Sequence, residues 1–177
     1  RFANAIGAAR NGDNARARAA VARLGEIEGS IVVPPGEYDW RKQVAIERQI
    51  AEGWLAYAEG RKEDAVRIMR AAADLDDATE KHPVTPGSVL PAREQLGELL
   101  LELGQGKDAQ AAFEDSLKRA PKRLAGLYGA GRAARLAGHA DQARRYFAEL
   151  VEVTKSADGN RAEVKEARAL ATQTAGR

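Results

Sequence analysis

Gly97 and Gly131 stand 34 residues apart, and so do Gly104 and Gly138, Ala109 and Ala143, and Phe113 and Phe147. Four positions repeating in one register constrain this chain more than any other feature. A period of 34 residues accommodates two helices and two turns, and such a unit cannot bury its apolar face alone. The register therefore predicts stacked helical hairpins, a scaffold that presents surfaces. It does not name what those surfaces meet.

Composition agrees with helices that pack closely. Apolar residues make up 44% of the chain with Ala prominent, aromatics only 5%, and charged residues 31%, a balance suited to helix. The one β-like stretch, Ile31-Val32-Val33, runs at once into Pro34-Pro35-Gly36, which stops a strand. Cysteine is absent, which removes thiol catalysis, disulfides and thiolate metal sites and is compatible with either cytoplasm or periplasm. No apolar run approaches the roughly 18 residues of a membrane helix. The chain begins Arg1-Phe2 without Met, the pattern of a fragment or a processed form.

The net charge of +2 gives no global basic character that would point to nucleic acid. The distribution is less even. Asp74, Asp76, Asp77, Glu80, Glu94, Glu98 and Glu102 face only Lys81 and Arg93 between 74 and 102. Lys118, Arg119, Lys122, Arg123, Arg132, Arg135, Arg144 and Arg145 face only Asp141 between 116 and 148. These are either solvated helix faces or the two ends of a bipolar scaffold with an anion-attracting end.

Residues 90–123 place Leu96-Gly97 and Leu100 on a first helix, Ala109, Phe113 and Ser116 on a second, and Pro121 at its end. Gly97 and Ala109 let two backbones approach while Phe113 fills the space beside them, and Gly104 is positioned to end the first helix. Residues 124–154 keep Gly131, Gly138, Ala143 and Phe147, with Leu127 and Ala134 at the large positions. Upstream, Gly53, Gly60, Ala65 and Met69 repeat the pattern with 44 residues from Gly60 to Gly104. Asn11-Gly12-Asp13-Asn14-Ala15 repeats its turn 48 residues before Gly60. This spacing resembles the tetratricopeptide repeat. The segments around Tyr38-Asp39-Trp40, Lys81-His82-Pro83 and Leu127-Tyr128-Gly129-Ala130-Gly131-Arg132 are similar to a family of bacterial tetratricopeptide proteins of uncharacterised function.

The resemblance implies an all-α chain, an α-α superhelix whose helical hairpins form a right-handed solenoid. Hairpins are expected at about 1–30, 39–80, 89–121 and 122–153 in one domain. A capping helix follows at about 160–174. Asp39 and Ser88 are candidate N-caps. Helices are expected at about 1–10, 14–25, 39–59, 62–79, 89–103, 106–119, 122–137 and 140–153. The first helices of the hairpins then line a concave groove. Its candidates are Glu47, Ile50, Trp54 and Tyr57, then Pro91, Glu94, Glu98 and Leu101, then Ala125, Tyr128, Arg132 and Arg135. A peptide could lay apolar side chains on Trp54, Tyr57 and Tyr128 while Arg132 and Arg135 hold a carboxylate. Alternatively, Trp54 and Tyr57 pack beneath the Tyr38–Trp40 loop, and the two arginines pair with Glu94, Glu98 or Glu102.

The two insertions carry what is specific to this chain. Pro83 and Pro86 stiffen residues 81–87 and hold His82 extended, as a spacer between hairpins or a ligand-facing lip. Asp76, Glu80 and His82 could converge on a divalent metal, but no second His is placed to complete a site. No nucleophile elbow, Gly-rich phosphate loop or His-Glu metal helix is present, so no enzyme and no cofactor are expected. The leading expectation is a protein- or peptide-binding scaffold. The alternatives are an assembly subunit whose groove packs on itself or on another copy, and a metal-binding or enzymatic module near His82.

Overall fold

The computed structural model describes residues 1–80, 82, 84, 88–157 and 160–172. Among the described residues the secondary structure is all helix: α1 (Phe2–Arg10), α2 (Asn14–Ser30), α3 (Trp40–Ala58), α4 (Lys62–Ala78), α5 (Ala92–Glu102), α6 (Gly106–Arg119), α7 (Leu124–Leu136), α8 (Ala140–Val153) and α9 (Ala162–Thr172). The chain divides into two compact units, Arg1–Gln95 and Leu96–Arg177, with the division inside α5. In the first unit α3 packs on α1, α2 and α4. In the second, α7 packs on α6 and α8, and α9 packs on α8.

One turn is built four times. Gly12, Gly60, Gly104 and Gly138 have φ of +78°, +79°, +73° and +80°, a region that costs an L side chain energy but not glycine. Each follows the end of a first helix. At Gly60, its own N–H donates to Tyr57 O (2.9 Å) and the Arg61 N–H to Ala56 O (2.9 Å). At Gly138, the equivalent bonds run to Arg135 O (3.1 Å) and from the His139 N–H to Ala134 O (2.8 Å). This paired pattern is the Schellman motif, which satisfies carbonyls that a helix end otherwise leaves without partners.

The helix-to-helix contact is also repeated. A Cβ added at Gly97 would lie 2.6 Å from the Phe113 ring, at Gly131 2.6 Å from the Phe147 ring, and at Gly53 2.9 Å from the Met69 methyl. The same step of sixteen residues separates each glycine from its large partner. Phe113 is enclosed from the other side as well, because a Cβ at Gly129 of α7 would come within 2.2 Å of its ring. Around Phe147 the second unit buries Leu127, Ala134, Ala143, Leu150, Val164 and Ala167. The first unit has a smaller cluster of Ala5, Leu24 and Ala51. Helix α9 continues the 34-residue register, since Leu96, Ala130 and Val164 are all buried, as are Leu99, Ala133 and Ala167. At the glycine position, however, it carries Lys165. It therefore offers no gap for an aromatic ring there.

Two boundaries differ from the sequence expectation by three residues or more. Helix α2 continues to Ser30 rather than stopping near 25, and ends where Ile31 turns extended ahead of Val32, Val33 and Pro34. Helix α5 begins at Ala92, not at 89 behind a Ser88 cap. Leu90 precedes Pro91, whose ring disfavours helical geometry in the preceding residue. The cap comes instead from α4: the Ala92 N–H donates to the Asp76 carboxylate at 3.1 Å. Asp39 does cap α3, accepting from the Lys42 N–H at 3.3 Å. The expectations resting on Lys81, Pro83, Thr85, Pro86 and Gly87 lie outside the described residues.

Alanine at Gly131 and at Gly7 should have opposite effects. Both are helical, but nothing lies within 4 Å of a Cβ at Gly7. Gly7→Ala is expected to stabilise by about 0.5–1 kcal/mol through helix propensity. In Gly131→Ala overpacking of about 1–3 kcal/mol opposes that gain, and net destabilisation is expected. Guanidinium denaturation of both variants is the check. Equal shifts in the same direction would show that the ring contact is not tight.

Candidate functional site

In the first unit the expected groove stripe of α3 is mostly interior. Ile50 and Trp54 are buried, Trp54 to 2% exposure. Three helices converge on this indole. Its Nε1–H donates to Gln95 Oε1 of α5 at 2.8 Å, the Arg10 guanidinium of α1 lies 4.5 Å above the ring, and Tyr57 meets it edge-on at 6.1 Å. Burying an indole is favourable only when its N–H finds an acceptor, and Gln95 provides one. Glu94 is 3% exposed and is engaged by neighbouring groups. Glu47 lies at the exposed edge of the stripe, where surrounding protein atoms desolvate its carboxylate and raise its pKa. The aromatic and cationic neighbours of the Trp54 ring are Arg10 and Tyr57.

The Tyr38–Trp40 loop meets the second insertion. The rings of Tyr38, Trp40 and His82 pack together with centroids 4.9–5.3 Å apart, His82 stacked on Trp40 and Tyr38 edge-on to both. His82 Nδ1 accepts from the Val84 N–H at 3.3 Å. With Asp76 committed to the start of α5, the three proposed metal donors do not converge. Among the described residues no group of three His, Asp or Glu side chains is arranged to hold an ion.

The second unit carries a half-exposed polar row. Arg132 of α7 donates to Glu98 Oε2 of α5 at 3.2 Å and its guanidinium lies 5.5 Å over the Tyr128 ring. The Tyr128 hydroxyl donates to Glu166 Oε2 of α9, and Glu166 Oε1 lies 3.8 Å from Arg135 Nη1. Tyr128 also packs against Phe147 at 6.4 Å, so the row is anchored in the core. Burial, followed by the hydrogen bond to Glu166, raises the Tyr128 phenol to about 12. The alternative reading of Arg132, that it pairs with a neighbouring acid, is what the structure shows. Arg135 keeps 56% of its side chain exposed.

Sequence reasoning missed Glu166, although a signal existed. Glu98, Arg132 and Glu166 stand at successive 34-residue steps, so extending the register once more points to it. Arg10 and Gln95 had no comparable signal. The eight bases counted between 116 and 148 do not share one face. Lys118 and Arg119 end α6, Lys122 and Arg123 occupy the following turn, and Arg144 and Arg145 lie on α8. Lys118 pairs with Asp115, and Arg144 with Asp141. On the second helices a separate network joins α6 to α8. Gln110 Nε2 donates to Glu114 (2.7 Å) and Gln142 (2.6 Å), and the Tyr146 hydroxyl donates to Glu114 (2.6 Å).

The fold has relatives among solved structures. The crystal structure of PcrH from Pseudomonas aeruginosa matches with a TM-score of 0.55 at 17% identity, over 72% of this chain and 89% of that one. The crystal structure of PcrH in complex with the chaperone binding region of PopB matches with a TM-score of 0.56 at 19% identity, over 71% and 94%. At such identity the likeness establishes the fold, the tetratricopeptide-like arrangement of helical hairpins, and nothing finer. No protein-family model matches the chain, and no curated protein matches it in sequence. No described helix is long and apolar enough to cross a membrane.

Two outcomes follow from this geometry. Gln95→Leu leaves a buried indole N–H without an acceptor, an expected loss of about 1–3 kcal/mol. The Trp54→Phe/Gln95→Leu pair should cost less than the sum of its single changes, and strict additivity in urea melts would show that the bond is idle. Tyr128 has its folded pKa raised, so the folded state holds that proton more tightly than the unfolded chain. Its contribution is fully present below an unfolded pKa of roughly 10 and is lost as pH rises through about 12. Stability of the wild type should therefore fall more steeply over that window than stability of Tyr128→Phe, measured by denaturation at several pH values.

Proposed function

We propose that this chain is a non-enzymatic scaffold that binds a peptide segment of a partner protein on the faces of its first helices. The observation that carries this reading is the row Glu98–Arg132–Tyr128–Glu166–Arg135. It brings one side of three helices of the second unit to solvent with donors and acceptors held in place by core-anchored rings. Surfaces held rigid before binding lose little entropy on association, and Arg and Tyr are the residue types over-represented where binding energy concentrates. Helical-repeat folds commonly use such surfaces. The solved complex of PcrH with a region of PopB supports a peptide as the kind of ligand.

Within this reading Arg132, Arg135, Tyr128 and Glu98 contact the segment directly. In the first unit Tyr57 and Glu47 border the equivalent face, while Trp54 and Glu94 support it from beneath. His82, stacked on Trp40, holds the two insertions together at a separate place. Catalysis has no group assigned to it.

Panning a library of short random peptides against the whole chain tests the proposal. Binders are expected whose affinity falls roughly tenfold or more, about 1.4 kcal/mol, in Arg135→Ala and in Arg132→Met, with the helical circular dichroism of each variant unchanged. An absence of binders, or binders indifferent to both substitutions, would remove the row from the ligand site.

A further inference from the structure

Both guanidiniums of the row already face carboxylates of the same unit, and the charges alternate. Glu98, Arg132 and Glu166 occupy one position of the 34-residue register on α5, α7 and α9. We infer that Glu98 and Glu166 are built-in counter-ions that exclude acidic segments, so the partner carries no Asp or Glu where it crosses Arg132 and Arg135. This rests on the peptide-binding reading above and names the chemistry of the ligand.

The geometry opposes an incoming carboxylate at both arginines. At Arg132 the guanidinium carbon lies 5.5 Å over the Tyr128 ring and Nη1 donates to Glu98. A second carboxylate has to displace Glu98 or sit beside it, against like-charge repulsion. At Arg135 an anion meets the charge of Glu166, whose Oε1 lies 3.8 Å from Nη1. Glu166 cannot swing away freely, because it accepts the Tyr128 hydroxyl, a half-buried donor that would lose its partner.

Uncharged groups meet no such barrier. A guanidinium has five N–H donors and a carboxylate several lone-pair directions, so peptide carbonyls and amide N–H groups can use what the internal pairs leave. The alternation of sign also cancels the field felt from a distance, so association should depend little on salt. Under this inference the two arginines do not capture a ligand carboxylate, the opposite of the sequence expectation.

Peptides selected from the random library supply the probe, together with versions in which each position is replaced in turn by Asp. For the wild-type chain the selected set should be poor in Asp and Glu, and Asp at central positions should weaken binding roughly tenfold or more. Raising sodium chloride from low to about 0.5 M should change the parent affinity by less than about threefold. The Glu98→Gln/Glu166→Gln variant keeps the shape of both side chains and one acceptor oxygen on each, and removes both negative charges. It should bind the Asp-containing peptides roughly tenfold more tightly than wild type does, and with strong salt dependence. Glu166→Gln alone provides a milder second variant, and thermal melts establish that both fold. Acidic peptides enriched by the wild type, or no gain by either variant, overturns the counter-ion inference while peptide binding stands. Failure to select any peptide overturns both.

Discussion

The contact on which the second unit depends is a benzyl ring pressed onto bare backbone. Phe113 lies between Gly97 of α5 and Gly129 of α7, and Phe147 lies on Gly131. Methyl groups at these glycines would have to occupy space that the rings already fill. Because interiors are packed like crystals, such contacts leave few alternatives for helix position. Once Phe113 is seated, α5, α6 and α7 have one separation and one register. Met69 against Gly53 does the same for α3 and α4 with a softer side chain, which adapts better to irregular space.

The polar row follows from that register. First helices related by 34 residues bring equal positions side by side, so a residue choice at one position becomes a pairing between helices. Glu98 with Arg132 is such a pair at 3.2 Å. A half-exposed ion pair of this kind contributes little to stability, so its significance is in what it does to the surface. It neutralises a face that would otherwise display isolated charges. In the first unit the corresponding region is closed by Trp54, with Arg10 above it and Gln95 beside it. The two units thus treat similar repeat positions differently, one as core and one as surface.

The hairpins were legible in the sequence because their signals are local and periodic: a glycine that permits left-handed φ, a glycine that admits a ring, and the ring sixteen residues on. At the α5 start two local signals compete, a serine suited to a cap and a proline that disfavours helix at Leu90, and the proline prevails. The cap that does operate, Asp76, comes from another helix and has no local sequence sign. Trp54 falls on the predicted stripe, where a groove position and a packing position look alike in sequence. A stripe position gives direction, but not whether α1 and α5 come close enough to cover it. Glu166 has no local motif of its own, and only the buried Val164 and Ala167 show that α9 keeps the period that leads to it.

What the sequence determined by itself is the all-helical hairpin fold, the four left-handed turns and the glycine–ring pairing, since each depends on backbone freedom and side-chain size that residue identity specifies directly. What only the tertiary structure decided is which side chains remain available. The aromatic trio of Tyr38, Trp40 and His82 joins two insertions distant in sequence. Arg132 and Arg135 lie beside Glu98 and Glu166, acids carried by other helices. Exposure and charge pairing are properties of distances between helices, and those distances exist only after the rings have seated on the glycines.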